Sequence, residues 1–476
     1  MLDRIRTAKF SQTIDGAAAG SVYEDVIDPS TGMAFQQSPV ATPDEIDRAV
    51  ASARRAQPGW AALTWDERAG YLERLAEAIE AEREWIGAVQ TMEQGMPVAD
   101  SVMSVMLTAR RLRIIGAVRA PDRILIDDAA RRVTERWSPL GIVAAIAPWN
   151  GPIVLGMIKV ATALIGGNAV VLKPSELTPL GTLEIGRIAR AILPPGIFNV
   201  LGGGREVGQA IVAHPGFDKV SFTGSTATGL AIAKQSAAYL RSILLELGGN
   251  DAAILLADGS VADLVASAAR TAFVNCGQYC AAIKRVYTPP ALYDEVCEGI
   301  AAAAKTMKLG NGFEPGVNMG PIQNKAQFDK VCAIVEDAKA AGGRVLTGGA
   351  PLPGNGYFYP PTVIADLADG VRLVDEEQFG PVVPVVKYHD VDQVIEQINK
   401  GPYGLTGSVW TADLERGEQI AARLAVGTGW VNQHGLFDPG VPFPMIKASG
   451  MGVDYADYGV KGAMRLQAIH TKKPAS

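Results

Sequence analysis

Four cysteines stand at positions 276, 280, 297 and 332, and Cys280 follows Gly277-Gln278-Tyr279, a loop-like break at which a thiol can meet solvent. Cysteine is a nucleophile as its thiolate, which requires access and a lowered pKa; without them it is a small core residue. Cys276, four residues earlier, is the rival thiol. Glu246 closes the apolar run Leu244-Leu245. Burial at that strand end favours the protonated carboxyl and makes Glu246 a proton acceptor near neutral pH, whereas a solvated carboxylate there would be ordinary. Asn150 ends Ala147-Pro148-Trp149-Asn150, where its amide can donate a hydrogen bond or simply make a turn.

Two glycine clusters have spacings that suit an anion. A Gly-rich turn after a strand lets backbone N–H groups and a helix N-terminus face a phosphate. The run from Gly202 to Gly208 is one residue too long for GxGxxG. Gly224 and Gly229 have GxxxxG spacing, with Leu230 where a nucleotide P-loop carries lysine. Each cluster alone reads equally as a turn. Lys173 and Glu176 follow the run Val170-Val171-Leu172, at the carboxyl edge where doubly wound sheets bind ligands. A carboxylate there can accept from ribose hydroxyls, or the segment is a solvated loop ending in a helix cap.

The elements that must hold these residues are legible as patterns. Thr42 with Glu45 and Thr64 with Glu67 form two capping boxes, which predict helices over 43–56 and 65–90. From 142 to 246 short β-rich runs alternate with helical stretches near 153, 178–192, 205–213 and 225–238, the pattern of a parallel sheet with helices on its faces. A second alternating block runs from 252 to 431, and residues 123–137 read as two polar strands around a turn, an arm more than a core element.

At 476 residues, 48% hydrophobic and 20% charged, the chain has enough material for several domains and a large core. A formal charge of -6 offers no basic stripe for nucleic acid and no attraction to anionic membranes. Pro148, Asn150, Pro152, Lys159 and Asn168 interrupt the apolar stretch 142–172 before a span of ~18 residues accumulates. The first sixteen residues lack the apolar run of a secretory signal, and four cysteines without CxxC pairs suit a reducing compartment and no metal site, so a cytoplasmic protein is expected.

Taken in order, Pro148-Trp149-Asn150, Lys173-Pro174-Ser175-Glu176, Phe222-Thr223-Gly224-Ser225, Glu246-Leu247-Gly248-Gly249, Gly277-Gln278-Tyr279-Cys280 and Glu377-Gln378-Phe379-Gly380-Pro381 resemble the aldehyde dehydrogenase superfamily over nearly the whole chain. The resemblance implies an α/β fold: a Rossmann-type cofactor domain from 1–118 and 140–247, an α/β catalytic domain at 248–447, and an oligomerisation arm and tail at 119–139 and 448–476. It implies NAD-dependent oxidation of an aldehyde to its acid through a cysteine thiohemiacetal and thioester, with NADP as the variant cofactor. Cys280 matches the nucleophile, Asn150 and the Cys280 N–H the oxyanion site, and Glu246 the base that releases the thioester with water.

Lys173 and Glu176 match the adenosine-ribose contacts, Trp149 and Ser225 the pyrophosphate site with Gly224 and Gly229 allowing close approach, and Glu377 with Phe379 the nicotinamide-ribose end. A homodimer or homotetramer is implied. Retained Glu246 argues against release by coenzyme A, and intact Cys280, Glu246 and Asn150 argue against a catalytically silent protein of this fold. Ala227 stands where the family often has Glu, Cys276 is unusual at its position, and Phe443-Pro444-Met445 replaces a frequent Phe-Gly-Gly. Gly151 and Ile158 stand where many relatives carry aromatics. With Val154, Val274, Tyr279, Phe437 and Phe443 they would line a wide, mostly apolar tunnel for a bulky apolar or aromatic aldehyde.

Overall fold

The computed structural model describes residues 1–474. Five parallel strands form the heart of a ten-stranded sheet, in the order Ser242–Glu246, Lys219–Thr223, Ile142–Ile146, Ala169–Lys173 and Phe198–Val200. Four of them, Ile142–Ile146, Ala169–Lys173, Phe198–Val200 and Lys219–Thr223, are buried at every residue, as expected of parallel strands covered on both faces. Helices Pro152–Ile165, Leu180–Ala189, Arg205–Ala213 and Thr226–Ala237 make the crossovers. Asn150, Lys173, Thr223 and Glu246 therefore gather at the carboxyl ends of neighbouring strands.

Both capping boxes form, each threonine accepting from the backbone of a glutamate that reaches back to it. The helix expected over 65–90 is two helices, Trp65–Ala81 and Arg83–Gln94, because the backbone at Glu82 leaves helical values (φ -101, ψ 13) with neither Gly nor Pro to announce it.

After Glu246 the chain passes through a five-residue link to Ala252 and enters a seven-stranded sheet with its own apolar core. Two segments inside the expected 248–447 domain return to the first sheet's side: Tyr403–Gly404 pairs with Phe443–Lys447, which pairs in turn with Gly450–Asp454. That last strand pairs antiparallel with Ser242–Glu246, Glu246 opposite Gly450. Gly450 has φ +137, and a Cβ there would lie 1.9 Å from the Leu245 carbonyl oxygen, so glycine is what lets the returning strand close beside Glu246. Arg123–Asp127, Arg131–Pro139 and Met464–Lys472 make a separate three-stranded sheet. Among the described residues no helix is long and apolar enough to cross a membrane.

Candidate active site

Helix Val261–Ala272 stops at a turn in which Asn275 (φ 50), Cys276 (φ 55) and Gly277 (φ 69) are all left-handed. Two non-glycine residues in that region cost about 1–2 kcal/mol each. A web of amides holds the turn against this cost. Asn275 Nδ2 donates to Asn150 O at 2.9 Å, Gln94 donates to both Asn275 Oδ1 and Asn150 O, and Gln278 Nε2 donates to Asn275 O at 2.8 Å. A Cβ on Gly277 would meet Gly380 O at 2.2 Å, so glycine also lets the turn touch the 377–380 loop.

The turn separates the two thiols. Cys276 is fully buried, and burial pushes its thiol well above the ordinary range, so the rival cysteine is closed off. Cys280 is half-buried, with Sγ 4.0 Å from Glu246 Oε1. Its thiol is raised by burial first and then by the carboxylates of Glu246 and Asp251, against the lowering effect of Lys284. Glu246 is 6% exposed and Oε2 accepts from Thr223 Oγ1 at 2.8 Å. Burial raises its pKa; Asp454 adds to this, while Lys159, Thr223 and Arg111 oppose it. Asn150 Nδ2 spends one proton on Gln278 O at 3.0 Å, which fixes the amide and leaves a second N–H. The Cys280 N–H meets no backbone acceptor among the described residues. A thiol, a carboxylate beside it and two free N–H donors can carry out nucleophilic acyl chemistry.

Sequence reasoning missed the charges around this group. Lys159 entered it as an interruption of an apolar run; the lysine is 3% exposed, its Nζ finds no hydrogen-bond partner among the described residues, and it shares a cavity of about 280 Å³ with Lys219 and Asp454. Lys284 is fully buried, donates to Tyr279 O and lies 5.0 Å over the Phe379 ring. Burial lowers its pKa while Glu377 and Asp251 hold it up. A lysine inside Ala281-Ala282-Ile283-Lys284 was a signal available in the sequence.

Along the strand edge, Lys173 is 4% exposed, donating to Pro174 O at 3.0 Å and reaching Glu176 at 3.5 Å. Cβ atoms added to Gly204 or Gly208 would sit 3.9 Å from Glu176 and 3.7 Å from Lys173, so the 202–208 glycines shape a groove beside this pair. Glu24 faces it too: burial and Glu176 raise its carboxyl, and Lys173 lowers it. Ser225 caps helix Thr226–Ala237 by accepting from Thr228 N. At Gly224 and Gly229 a Cβ would overlap Phe222 and Leu247, both at 2.5 Å, so these two glycines are required by packing against the sheet. Trp149 meets Phe379 edge-on at 5.4 Å, and Glu377 Oε1 accepts from Gly249 N at 3.0 Å. The donor set, a carboxylate and lysine at one end, a capped helix N-terminus in the middle and the half-buried Glu377 carboxylate at the other, fits a dinucleotide.

Next to Cys280 in the chain, Tyr279 begins a row of edge-on rings with Phe437 and Phe443, centroids 6.2 and 5.0 Å apart. Val154 packs half-buried nearby, Val274 is 47% exposed, and Ile158 is buried in the core at 2%. The space beside Gly151 is bounded: a Cβ would lie 3.2 Å from Leu155 and 3.4 Å from Val154.

Comparison with known proteins gives a consistent result. A family model described as "Aldehyde dehydrogenase family" matches residues 17–469. The chain is 36% identical to the aldehyde dehydrogenase LUC3 of a Fusarium species, over 98% of this chain and 99% of that one. It is also 36% identical to a betaine aldehyde dehydrogenase of Rhizobium leguminosarum bv. trifolii, over 97% and 95%. A solved indole-3-acetaldehyde dehydrogenase with NAD+ superposes with a TM-score of 0.96 at 30% identity, covering 99% of this chain and 98% of that one.

Proposed function

The chain belongs to the aldehyde dehydrogenase family and is an NAD-dependent aldehyde dehydrogenase; from that premise we propose that it oxidises a bulky apolar or aromatic aldehyde to the acid through an acyl-enzyme on Cys280. The observation that carries the mechanism is the meeting of Cys280 Sγ with Glu246 Oε1 at 4.0 Å, beside the free N–H of Asn150. Cys280 gives up its thiol proton to solvent and its sulfur adds to the carbonyl carbon, Lys284 being the cation that opposes the upward push of burial on this thiol. The oxyanion that forms is held by the Asn150 amide and the Cys280 N–H, donors fixed before reaction and therefore effective without reorganisation. NAD, when bound, supplies the acceptor for the hydride.

Lys173, Glu176, Trp149, Gly224, Ser225, Gly229, Glu377 and Phe379 would hold it, and Lys284 ties the Phe379 ring to the loop that carries the nucleophile. Glu246 then removes a proton from water as it attacks the thioester carbonyl; the C–S bond breaks, and the carboxylic acid leaves with the thiol restored. Its burial suits this task, since a base with a raised pKa takes a proton from water more readily than an ordinary carboxylate. The aromatic wall of Tyr279, Phe437 and Phe443 supports the substrate class, as does the neighbour named for an indole aldehyde.

Residues 1–118 and 140–247 make the cofactor domain, 248–447 the catalytic domain, with 403–404 and 443–447 crossing to the first sheet's side. The three-stranded sheet at 123–139 and 464–472 is an assembly surface for a homodimer or homotetramer. The test is Glu246→Gln with NAD and benzaldehyde. A pre-steady-state burst, a thioester on Cys280 by mass spectrometry and steady-state turnover lowered at least tenfold are expected, with no requirement for coenzyme A in the unmodified enzyme. An adduct on Cys276, or turnover dependent on coenzyme A, overturns the reading.

A further inference from the structure

Arg111 lies on helix Val98–Gly116 and is half-buried. Two residues on, Arg113 is paired with Glu73 and Glu80; Arg111 pairs with no carboxylate among the described residues. Its guanidinium carbon lies 5.8 Å from the centroid of Tyr455. From Tyr455 the rings continue to Phe443 at 6.1 Å, to Phe437 at 5.0 Å and to Tyr279 at 6.2 Å, so one aromatic wall runs from Arg111 to the residue preceding Cys280. Two carboxylates lie in this neighbourhood, and each already feels a buried lysine: Lys159 acts on Glu246, and Asp454 on Lys219. Arg111 also acts on Glu246, behind Lys159, and forms no ion pair with either carboxylate among the described residues. An unpaired guanidinium beside a row of rings is a site for a planar anion, because its fork of N–H groups matches a carboxylate in two parallel bonds.

We propose that Arg111 recognises a carboxylate carried by the aldehyde substrate at the end remote from the carbonyl, the aromatic wall between Arg111 and Tyr279 packing the body of that substrate. The inference rests on the reading of this wall as the aldehyde's passage. A substrate of this kind, a formyl group and a carboxylate at opposite ends of a ring, places its aldehyde at Cys280 and its anion at Arg111, and it uses Arg111 for binding rather than for chemistry. A cationic aldehyde would meet the same guanidinium as a like charge.

The measurement is kcat/KM with NAD for two matched pairs, 4-carboxybenzaldehyde with 4-methylbenzaldehyde and succinic semialdehyde with butanal, in the unmodified enzyme, Arg111→Met and Arg111→Lys. The unmodified enzyme is expected to favour the carboxylated member of the aromatic pair at least tenfold. Arg111→Met should reduce that ratio at least tenfold, chiefly through KM of the carboxylated aldehyde, and Arg111→Lys should restore part of it. A ratio unchanged by Arg111→Met in both pairs overturns the proposal and assigns Arg111 to the electrostatics of Glu246. An Arg111-dependent preference in the aliphatic pair, with neither aromatic aldehyde oxidised, keeps the carboxylate contact and overturns the aromatic substrate class. Circular dichroism and thermal unfolding of both variants separate a folding defect from a binding one.

Discussion

Glu246 shows how a single side chain is set by neighbours distant in sequence. Burial alone would hold the carboxyl protonated, and Lys159 is the leading influence against it. The Lys159 side chain makes no hydrogen bond among the described residues, so it acts on Glu246 through space in a poorly solvated setting where charges interact strongly. Replacing Lys159 by Met removes that cation and raises the Glu246 pKa further. In the proposed mechanism thioester hydrolysis needs the carboxylate and is lost as pH falls through its pKa, so the acid limb of the kcat profile should move to higher pH. A pH profile that stays in place would show that Lys159 does not act on Glu246. The cofactor end presents a similar pairing. Glu176 and Glu24 both face Lys173, and an added ribose phosphate would meet two carboxylates. Glu176→Gln should therefore relax the preference for NAD over NADP in part, and Glu24→Gln with it should relax it at least tenfold in the ratio of kcat/KM; equal use of both cofactors by the unmodified enzyme would remove the premise.

At the scale of elements, Glu93 links helix Arg83–Gln94 to the start of helix Leu180–Ala189, accepting from Leu180 N at 2.6 Å and Gly181 N at 2.9 Å. Complete burial raises its pKa to about 8 despite these two bonds. The unfolded chain releases this proton near pH 4.5 while the folded protein keeps it until about 8, so the group's contribution to stability falls as pH rises through that window and is level above it. Glu93→Gln lacks this slope. The unmodified protein should lose about 2–4 kcal/mol more unfolding free energy than the variant between pH 5 and 8, read by denaturant titration at the two values; parallel losses would contradict the assignment.

The helix ends were legible where a side chain caps its own backbone, as at Thr42 and Thr64, because that chemistry is written within four residues. The βα alternation was legible for the same reason, and so were Asn150 and Glu246 as strand-end residues. The break at Glu82, the roles of Lys159, Lys284 and Arg111, and the return of Gly450–Asp454 beside Glu246 were not, since each depends on contacts between segments far apart in the chain.

For the whole molecule the unresolved balance is at the three-stranded sheet. Among the described residues its outer strands, Arg123–Asp127 and Met464–Lys472, each have one unpaired edge, and Ile124, Leu125 and Leu466 are 56, 48 and 58% exposed. Exposed apolar side chains on open strand edges are a liability in a monomer and are ordinarily covered by a partner. The ion pairs here, Arg132 with Asp127, Arg136 with Asp122 and Lys473 with Asp127, join residues of the arm and tail to one another. Covering the exposed apolar side chains favours association by roughly 25 cal/mol per Å² removed from water. The groove beside Lys173 and the Cys280 site are both lined by residues of a single chain. Replacing Ile124 and Leu466 together by Asp puts two charges where two apolar side chains would be covered. Light scattering on micromolar protein should show the unmodified chain as a dimer or tetramer and the double variant at half that mass or less, with a lower Tm and with NAD-dependent turnover retained in the fraction that stays folded. A monomeric unmodified protein, or a double variant of unchanged mass, would place the assembly surface elsewhere.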